Sequence, residues 1–383
     1  MKYLPLVWAG LWRKRARTVL TLCCIVVAFG LFGILHGFTA AIDGIIDAMS
    51  DTRLRSMSRV NIMEALPLAH AQRMATVPGV QAVSYYNFFA GYYQETRNSV
   101  QVGAIDVESF NVVYPDIQLE PQYIEAMKQT RNGALVGEDL AKERGWKVGD
   151  RIPLGSAVWR RKDGAESWDF EIVGSYRSPS GRVPTNELWI NYAYFDEARA
   201  DGNGTVTIYF LKIADPNRAA EISEEVDKLF ANSMFETQTQ SEKDWLRAQI
   251  GQIGDIGFFV NAIIAAVMFA LLFVTGNTMM QSVRERIPEL VVLKTYGFSN
   301  LGIVSLVIAE SLLLCSVAAA LGIGIAAAIS PSLYREFGAG GLNLPLSVIG
   351  MGLGLAAVFA VVSALLPALR AQRLSIVDAL AGR

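Results

Sequence analysis

Residues Ile256–Met280 read IGFFVNAIIAAVMFALLFVTGNTMM, twenty-five positions without a formal charge. A helix rises 1.5 Å per residue, so this run exceeds the roughly 20 residues that cross about 30 Å of bilayer hydrocarbon. Val19–Ala41, Leu301–Ile329 and Leu346–Leu369 have the same character, the only carboxylate among them being Glu310. With 52% hydrophobic and 18% charged residues in the 383-residue chain, the four runs predict an α-helical membrane protein with four transmembrane helices. Between the first two lies a stretch of different composition. Residues 43–250 hold 22 Lys/Arg against 30 Asp/Glu, whereas the rest of the chain holds 12 against 6. The long insert is therefore acidic and the membrane part basic, which leaves no basic face for nucleic acid.

Charge near the ends of the runs sets their direction. Lys2, Arg13, Lys14, Arg15 and Arg17 precede the first run, Arg284, Arg286 and Lys294 join the second to the third, and Arg370, Arg373 and Arg383 follow the fourth. Residues 331–345 contain only Arg335 among cations. Both termini are thus expected in the cytoplasm and the acidic insert outside. The expected organisation is an amphipathic cytoplasmic-side helix at 1–17, a first transmembrane helix at 18–42, and stalk helices with an extracytoplasmic α+β domain at 43–254. A second span at 255–281, a cytoplasmic loop at 282–300, a third span at 301–330, a short outer loop at 331–345, a fourth span at 346–370 and a tail at 371–383 follow. The apolar core of the first run is longer than a signal-peptide h-region, which favours a retained helix.

Local patterns fill in this plan. Leu4, Val7, Trp8, Leu11 and Trp12 share one helical face and predict an in-plane helix over 3–15. Asp43, Asp47, Asp51, Arg55 and Arg59 recur every four residues, as a helix continuing into water would require, and Trp245, Gln249, Ile250, Ile253 and Ile256 form a comparable face before the second span. Gly251, Gly254 and Gly257 there would permit close packing. Within the insert, 81–86, 99–105, 151–154, 169–176, 187–191 and 205–213 read as strands, and 122–128, 137–144 and 216–230 as helices, the last with Asp215 as N-cap.

The chemistry-bearing residue types are sparse. No GxxxxGK[ST] run occurs, so the chain carries no P-loop for nucleotide phosphates. Two histidines, His36 and His70, lie apart, which argues against a histidine metal site or a hydrolytic triad. Cys23, Cys24 and Cys315 all fall inside predicted spans and the insert has none, so it folds without disulfides. The chain is read as no enzyme and as binding no cofactor itself. His36, Asn277 and Glu310 are the polar candidates within the spans, and interhelical hydrogen bonding explains them better than a proton or substrate pathway.

The most informative short segment is Val283–Ser299, VRERIPELVVLKTYGFS. Pro288 suits a first helical position and Gly297 the position after the last, giving a short helix over 288–296. Arg284, Glu285, Arg286, Glu289 and Lys294 surround Ile287, Leu290, Val291 and Leu293, a pattern suited to docking in a partner's groove.

This run, the basic RKRART at Arg13–Thr18 and the C-terminal PALRAQRLSIVDAL at Pro367–Leu380 together resemble the MacB/FtsX-like family of ABC-transporter permeases. In the insert, VPGVQAVS (Val77–Ser84), LVGEDLAKERGWKVGDRIPL (Leu135–Leu154) and FEIVGSY (Phe170–Tyr176) are similar to that family's periplasmic core. Pro288 departs from the polar residue usual at its position. The resemblance implies a permease subunit in a bacterial inner membrane, paired with a second copy and coupled to a separate cytosolic ABC ATPase that hydrolyses ATP with Mg. It implies mechanotransmission to the outer domain, export or extrusion of a substrate from the periplasm or outer leaflet, and for some members a periplasmic adaptor. Besides membrane lipid, the ATPase is the expected partner, met by Arg284, Glu285, Arg286, Glu289, Leu290, Leu293, Lys294 and Gly297. The alternative the resemblance leaves open is an FtsX-like regulator that controls an extracytoplasmic enzyme.

Overall fold

A computed structural model of the chain describes residues 13–179, 183–252, 254–336 and 343–372. The chain divides into two units, Met1–Gly44 with Ile253–Arg383, and Ile45–Gln252. Most of the helix expected over 3–15, and the C-terminal run beyond Gln372, lie outside the described residues.

In the first unit, α1 (Arg15–Ala48), α9 (Ile256–Glu285), α11 (Asn300–Glu336) and α12 (Leu346–Gln372) are each long and apolar enough to cross a membrane. A short helix, α10 (Ile287–Thr295), joins α9 to α11. Phe29, Phe32, Ile323, Phe359 and Ala360 are among the buried side chains of the bundle, with Phe29 and Phe359 edge to face at 6.5 Å. Small residues decide how closely the backbones approach. A Cβ added at Gly322 would lie 2.4 Å from the Val26 carbonyl oxygen and 2.8 Å from the Gly30 nitrogen, and one at Gly352 would meet Ile323 and Phe32. Gly324, Gly350 and Gly354 face open space, so only part of each glycine-rich run serves packing. Between α11 and α12, Ser311 donates to the Ala360 carbonyl at 2.9 Å. Phe258, Phe259, Phe269, Phe273 and Leu366 are exposed, an apolar exterior matched to hydrocarbon.

The second unit is an α/β domain. Among the described residues eleven strands make one sheet, from β1 (Arg53–Ser58) to β13 (Thr237–Ser241). The strands β5 (Ser99–Ile105), β4 (Gly91–Tyr93), β8 (Arg151–Ser156), β9 (Ser167–Arg177), β7 (Gly133–Gly137) and β10 (Glu187–Asn191) pair in that order. Because β10 returns to pair with β5 in parallel, these six close into a ring. The alternation along β9 is clear: Trp168, Phe170, Ile172 and Tyr176 are buried while their neighbours are not, as a period of two demands. Phe89, Trp168, Phe170 and Phe195 fill one core through edge-to-face contacts of 5.4–5.9 Å. From β5 the sheet continues through β3 (Val80–Phe88), β12 (Ile208–Ile213) and β1 to β13.

Two sequence readings need correction here. The four-residue charge spacing from Asp43 to Arg59 does not mark one helix: α1 ends at Ala48, and Arg53–Ser58 is a strand paired with both β12 and β13. Asp47 and Asp51 instead face α8 (Glu242–Gln252), where Asp47 pairs with Arg247 at 3.9 Å and Asp51 with Lys243. Arg53, 4% exposed, adds ion pairs to Glu242 at 2.8 Å and Asp116 at 2.7 Å, and Tyr114 donates to the same Glu242. Burial alone would lower the Arg53 pKa, but the Glu242 carboxylate and its neighbours raise it on balance. The face before the second span is likewise not continuous. The helix stops at Gln252, Gly254 takes φ +116°, and Asp255 caps a new helix by accepting from the Phe258 amide. Gly251 meets nothing, so the glycines there provide a turn rather than close packing.

Candidate functional site

The segment from Val283 to Ser299 folds where sequence chemistry directs it. Pro288 sits in the first turn of α10, where a missing N–H costs nothing. At the other end the Gly297 amide donates to the Lys294 carbonyl and the Phe298 amide to that of Leu293, with Gly297 at φ +95°. This is a Schellman ending, which needs a residue comfortable at positive φ. The expected bounds of 288–296 shift by one residue, to 287–295. Leu290 and Val291 are buried, Leu290 in a cluster with Val283, Ile303, Leu306, Val307, Ala368 and Ala371 that draws on α9, α11 and α12. On the outward side Val292 is 50%, Tyr296 81% and Leu301 75% exposed.

Charged groups tie this helix to the rest of the bundle. Arg17 and Lys14 both pair with Glu285, at 2.6 and 2.9 Å, and Arg13 pairs with Glu289. Arg286, buried, pairs with the buried Glu310 of α11 and approaches Glu289 at 3.5 Å. Lys294 donates to the Gln372 carbonyl at 3.0 Å, at the end of α12. Three runs that are separate in sequence, the basic leader, the loop and the start of the C-terminal run, therefore meet around α10. A cleft with Arg13, Lys14, Arg17, Thr21, Ser282 and Glu285 on its walls, and Met279 and Leu314 among its apolar lining, opens beside it.

The candidate residues divide into three environments. Arg284, Glu285, Glu289 and Gly297 are exposed. Leu293 and Lys294 are half-buried, Leu293 packing beside the cluster of Leu290. Arg286 and Leu290 are buried against the protein's own helices, so their side chains hold α10 in place and offer no surface to a partner. Val292 on α10 and Tyr296 directly after it, which the charge pattern did not single out, are large side chains exposed there. The intramembrane polar residues do not converge. His36 stacks on Phe32 at 4.5 Å with Nδ1 lacking a hydrogen bond, Asn277 is exposed on α9, and Glu310 is engaged by Arg286. The partner of Glu310 is not a residue of the spans: Arg286 lies in the loop between α9 and α10. Among the described residues no cluster of His, Cys, Asp and Glu could hold a metal ion.

Comparison with known proteins assigns both units. Residues 18–229 match the MacB-like periplasmic core domain and residues 261–376 the FtsX-like permease C-terminal domain. No curated protein matches the chain. Among solved structures, the periplasmic region of MacB from Actinobacillus actinomycetemcomitans is 12% identical, with 54% of this chain and 95% of that one covered and a TM-score of 0.38. The extracellular domain of the noncanonic ABC-type transporter YknZ from Gram-positive bacteria is 11% identical, with 49% and 100% covered and a TM-score of 0.36. A domain of a permease protein from Porphyromonas gingivalis is 12% identical, with 49% and 88% covered and a TM-score of 0.34. All three TM-scores fall below 0.5, so the assignment rests on the two family models, the first of which alone spans more than half of the chain. The chain belongs to the MacB/FtsX-like family of ABC-transporter permeases and is a multi-pass membrane protein carrying a MacB-like periplasmic core domain.

Proposed function

We propose that this chain is the permease subunit of an ABC transporter that works by mechanotransmission, driven by a separate cytosolic ATPase and extruding a substrate from the periplasm or outer leaflet. The observation that carries this reading is the convergence of leader, loop and C-terminal run on α10, which Arg13–Glu289 ties to the leader, Arg286–Glu310 to α11, Lys294–Gln372 to α12 and a shared apolar cluster to α9, α11 and α12. A load applied to α10 reaches all of these helices at once. On this reading Arg284, Glu285, Glu289 and Lys294, with Val292 and Tyr296, meet the ATPase, while Arg286, Leu290, Leu293 and Gly297 set the position and ending of α10. The partners are that ATPase with its ATP and Mg, a second copy of the permease, and a periplasmic adaptor. The acidic domain acts outside the membrane, with both termini in the cytoplasm.

The test is permease-stimulated ATPase activity in the complex that co-purifies with the full-length chain. Tyr296→Asp and Val292→Asp place a charge on the exposed apolar surface without entering the buried cluster, and each is expected to lower stimulation at least about tenfold by desolvating an unpaired carboxylate. Unchanged stimulation in both variants would remove α10 from the coupling route.

A further inference from the structure

The charges around α10 do not balance. Among the described residues, seven cations, Arg13, Lys14, Arg15, Arg17, Arg284, Arg286 and Lys294, stand against three carboxylates, Glu285, Glu289 and Glu310. Arg15 and Arg284 are exposed and have no ion-pair partner among the described residues. Of the paired cations, Arg13 and Lys14 remain 53% and 58% exposed while they touch their carboxylates, and Arg17 keeps 24% of its side chain exposed. An uncompensated, accessible cluster of this kind calls for an anion.

Its position says which one. Arg13–Arg17 stand immediately before the apolar run of α1, within about two helical turns of the hydrocarbon boundary, which is the depth of lipid phosphates. The cleft beside them opens between Arg13, Lys14, Arg17, Thr21 and Ser282, residues that flank the cytoplasm-side ends of α1 and α9. We propose that Arg13, Lys14, Arg15 and Arg17 form a binding site for the phosphate of an anionic phospholipid headgroup, which competes with Glu285 and Glu289 for these cations. Exposed ion pairs are weak, and the attraction of one cation to an anionic leaflet is of the same order. Neither partner dominates, so the composition of the membrane sets how firmly the leader holds the loop. In a neutral bilayer the leader stays on Glu285 and Glu289; in an anionic one its cations move to phosphate and α10 keeps its ties to α9, α11 and α12 without the leader. This inference needs the membrane location of the chain and is independent of any ATPase.

The experiment measures binding of NBD-labelled phosphatidylglycerol and NBD-labelled phosphatidylcholine to the purified full-length chain in neutral detergent. Wild type is expected to prefer the anionic probe, and Arg13→Gln with Lys14→Gln and Arg17→Gln to lose that preference by about tenfold or more. Arg15→Gln, which touches no carboxylate, is expected to weaken binding severalfold and guards against loss of fold in the triple variant. The diagnostic arm is Glu285→Gln with Glu289→Gln: removal of the competing carboxylates should tighten phosphatidylglycerol binding severalfold. Equal binding of the two probes by wild type overturns the site. Unchanged or weaker binding in the carboxylate variant overturns the competition. Displacement of the labelled lipid by 10 mM inorganic phosphate reassigns the site to a free phosphate and overturns the lipid; no displacement supports it.

Discussion

The buried pair of Arg286 and Glu310 offers an asymmetry that can be measured. The side chains are 10% and 5% exposed, so each charge sits there largely compensated by the other. Their surroundings differ. Glu310 has Arg286 as its ion-pair partner, whereas Arg286 also approaches the half-exposed Glu289 at 3.5 Å. Arg286→Met therefore leaves a carboxylate alone in a low-dielectric setting, and its cost is expected at about 3–5 kcal/mol. Glu310→Gln keeps an oxygen to accept from Arg286 and leaves Glu289 to hold the guanidinium, so its cost is expected at about 1–2 kcal/mol. The double variant, with neither charge, should recover much of the loss, giving a coupling of about 2–3 kcal/mol in the cycle. Equilibrium unfolding of the full chain in mixed micelles, read by the loss of helical circular dichroism, provides the three values. Equal costs below about 1 kcal/mol for both single variants, with no coupling, would refute the buried pair and the placement of α10 that depends on it.

Three further outcomes follow from the same physical reasoning. Arg53→Met strands Glu242 and Asp116 at the base of the domain, and an expected loss of about 3–5 kcal/mol would show as a lower midpoint in urea unfolding of the full chain. His70 has its pKa lowered by burial and then by Arg73; the stability it contributes is full above about pH 6.5 and is lost as pH falls through the lowered folded value. Thermal melts from pH 7 to 5 should slope downward in wild type and flatten in His70→Leu, and parallel slopes would remove the imidazole as the cause. Gly322→Val pushes side-chain atoms into the Val26 carbonyl and is expected to cost about 1–3 kcal/mol or more in thermal stability, while Gly324→Ala, which meets open space, should leave it unchanged.

Several elements were legible because one physical signal governed each. The apolar runs set the long helices by length alone. Ser99–Ile105 and Glu187–Asn191 emerged from β-branched and aromatic content with their bounds intact. Pro288 and Gly297 bracketed α10 because one residue lacks an N–H and the other tolerates positive φ. Misreadings arose where two signals overlapped. The charges of Asp47, Asp51 and Arg55 happen to repeat at a helical period, but they belong to a helix end, a turn and a strand, and what orders them is pairing with α8 nearly 200 residues later. β1 was hidden for the same reason: Arg53 is buried, and a buried arginine reads as surface until Glu242 is brought beside it. The leader's hold on the loop was equally invisible, since Arg13 and Glu289 are far apart in the chain and neither residue type implies the other.

The neighbouring strands β1 and β13 carry a mechanical consequence. They run antiparallel with Leu54 opposite Ser241, so the chain enters and leaves the domain at the same end of one ladder. Asp47–Arg247, Asp51–Lys243 and Arg53–Glu242 fasten that end in succession. Pulling the two connections apart would therefore load one fastener and one residue pair at a time, as a zipper opens, which is the weak direction of a sheet. Drawing both connections the same way loads no single pair and moves the domain as a rigid piece. The same fasteners thus resist a common displacement of the two connections and give way in turn when the connections diverge.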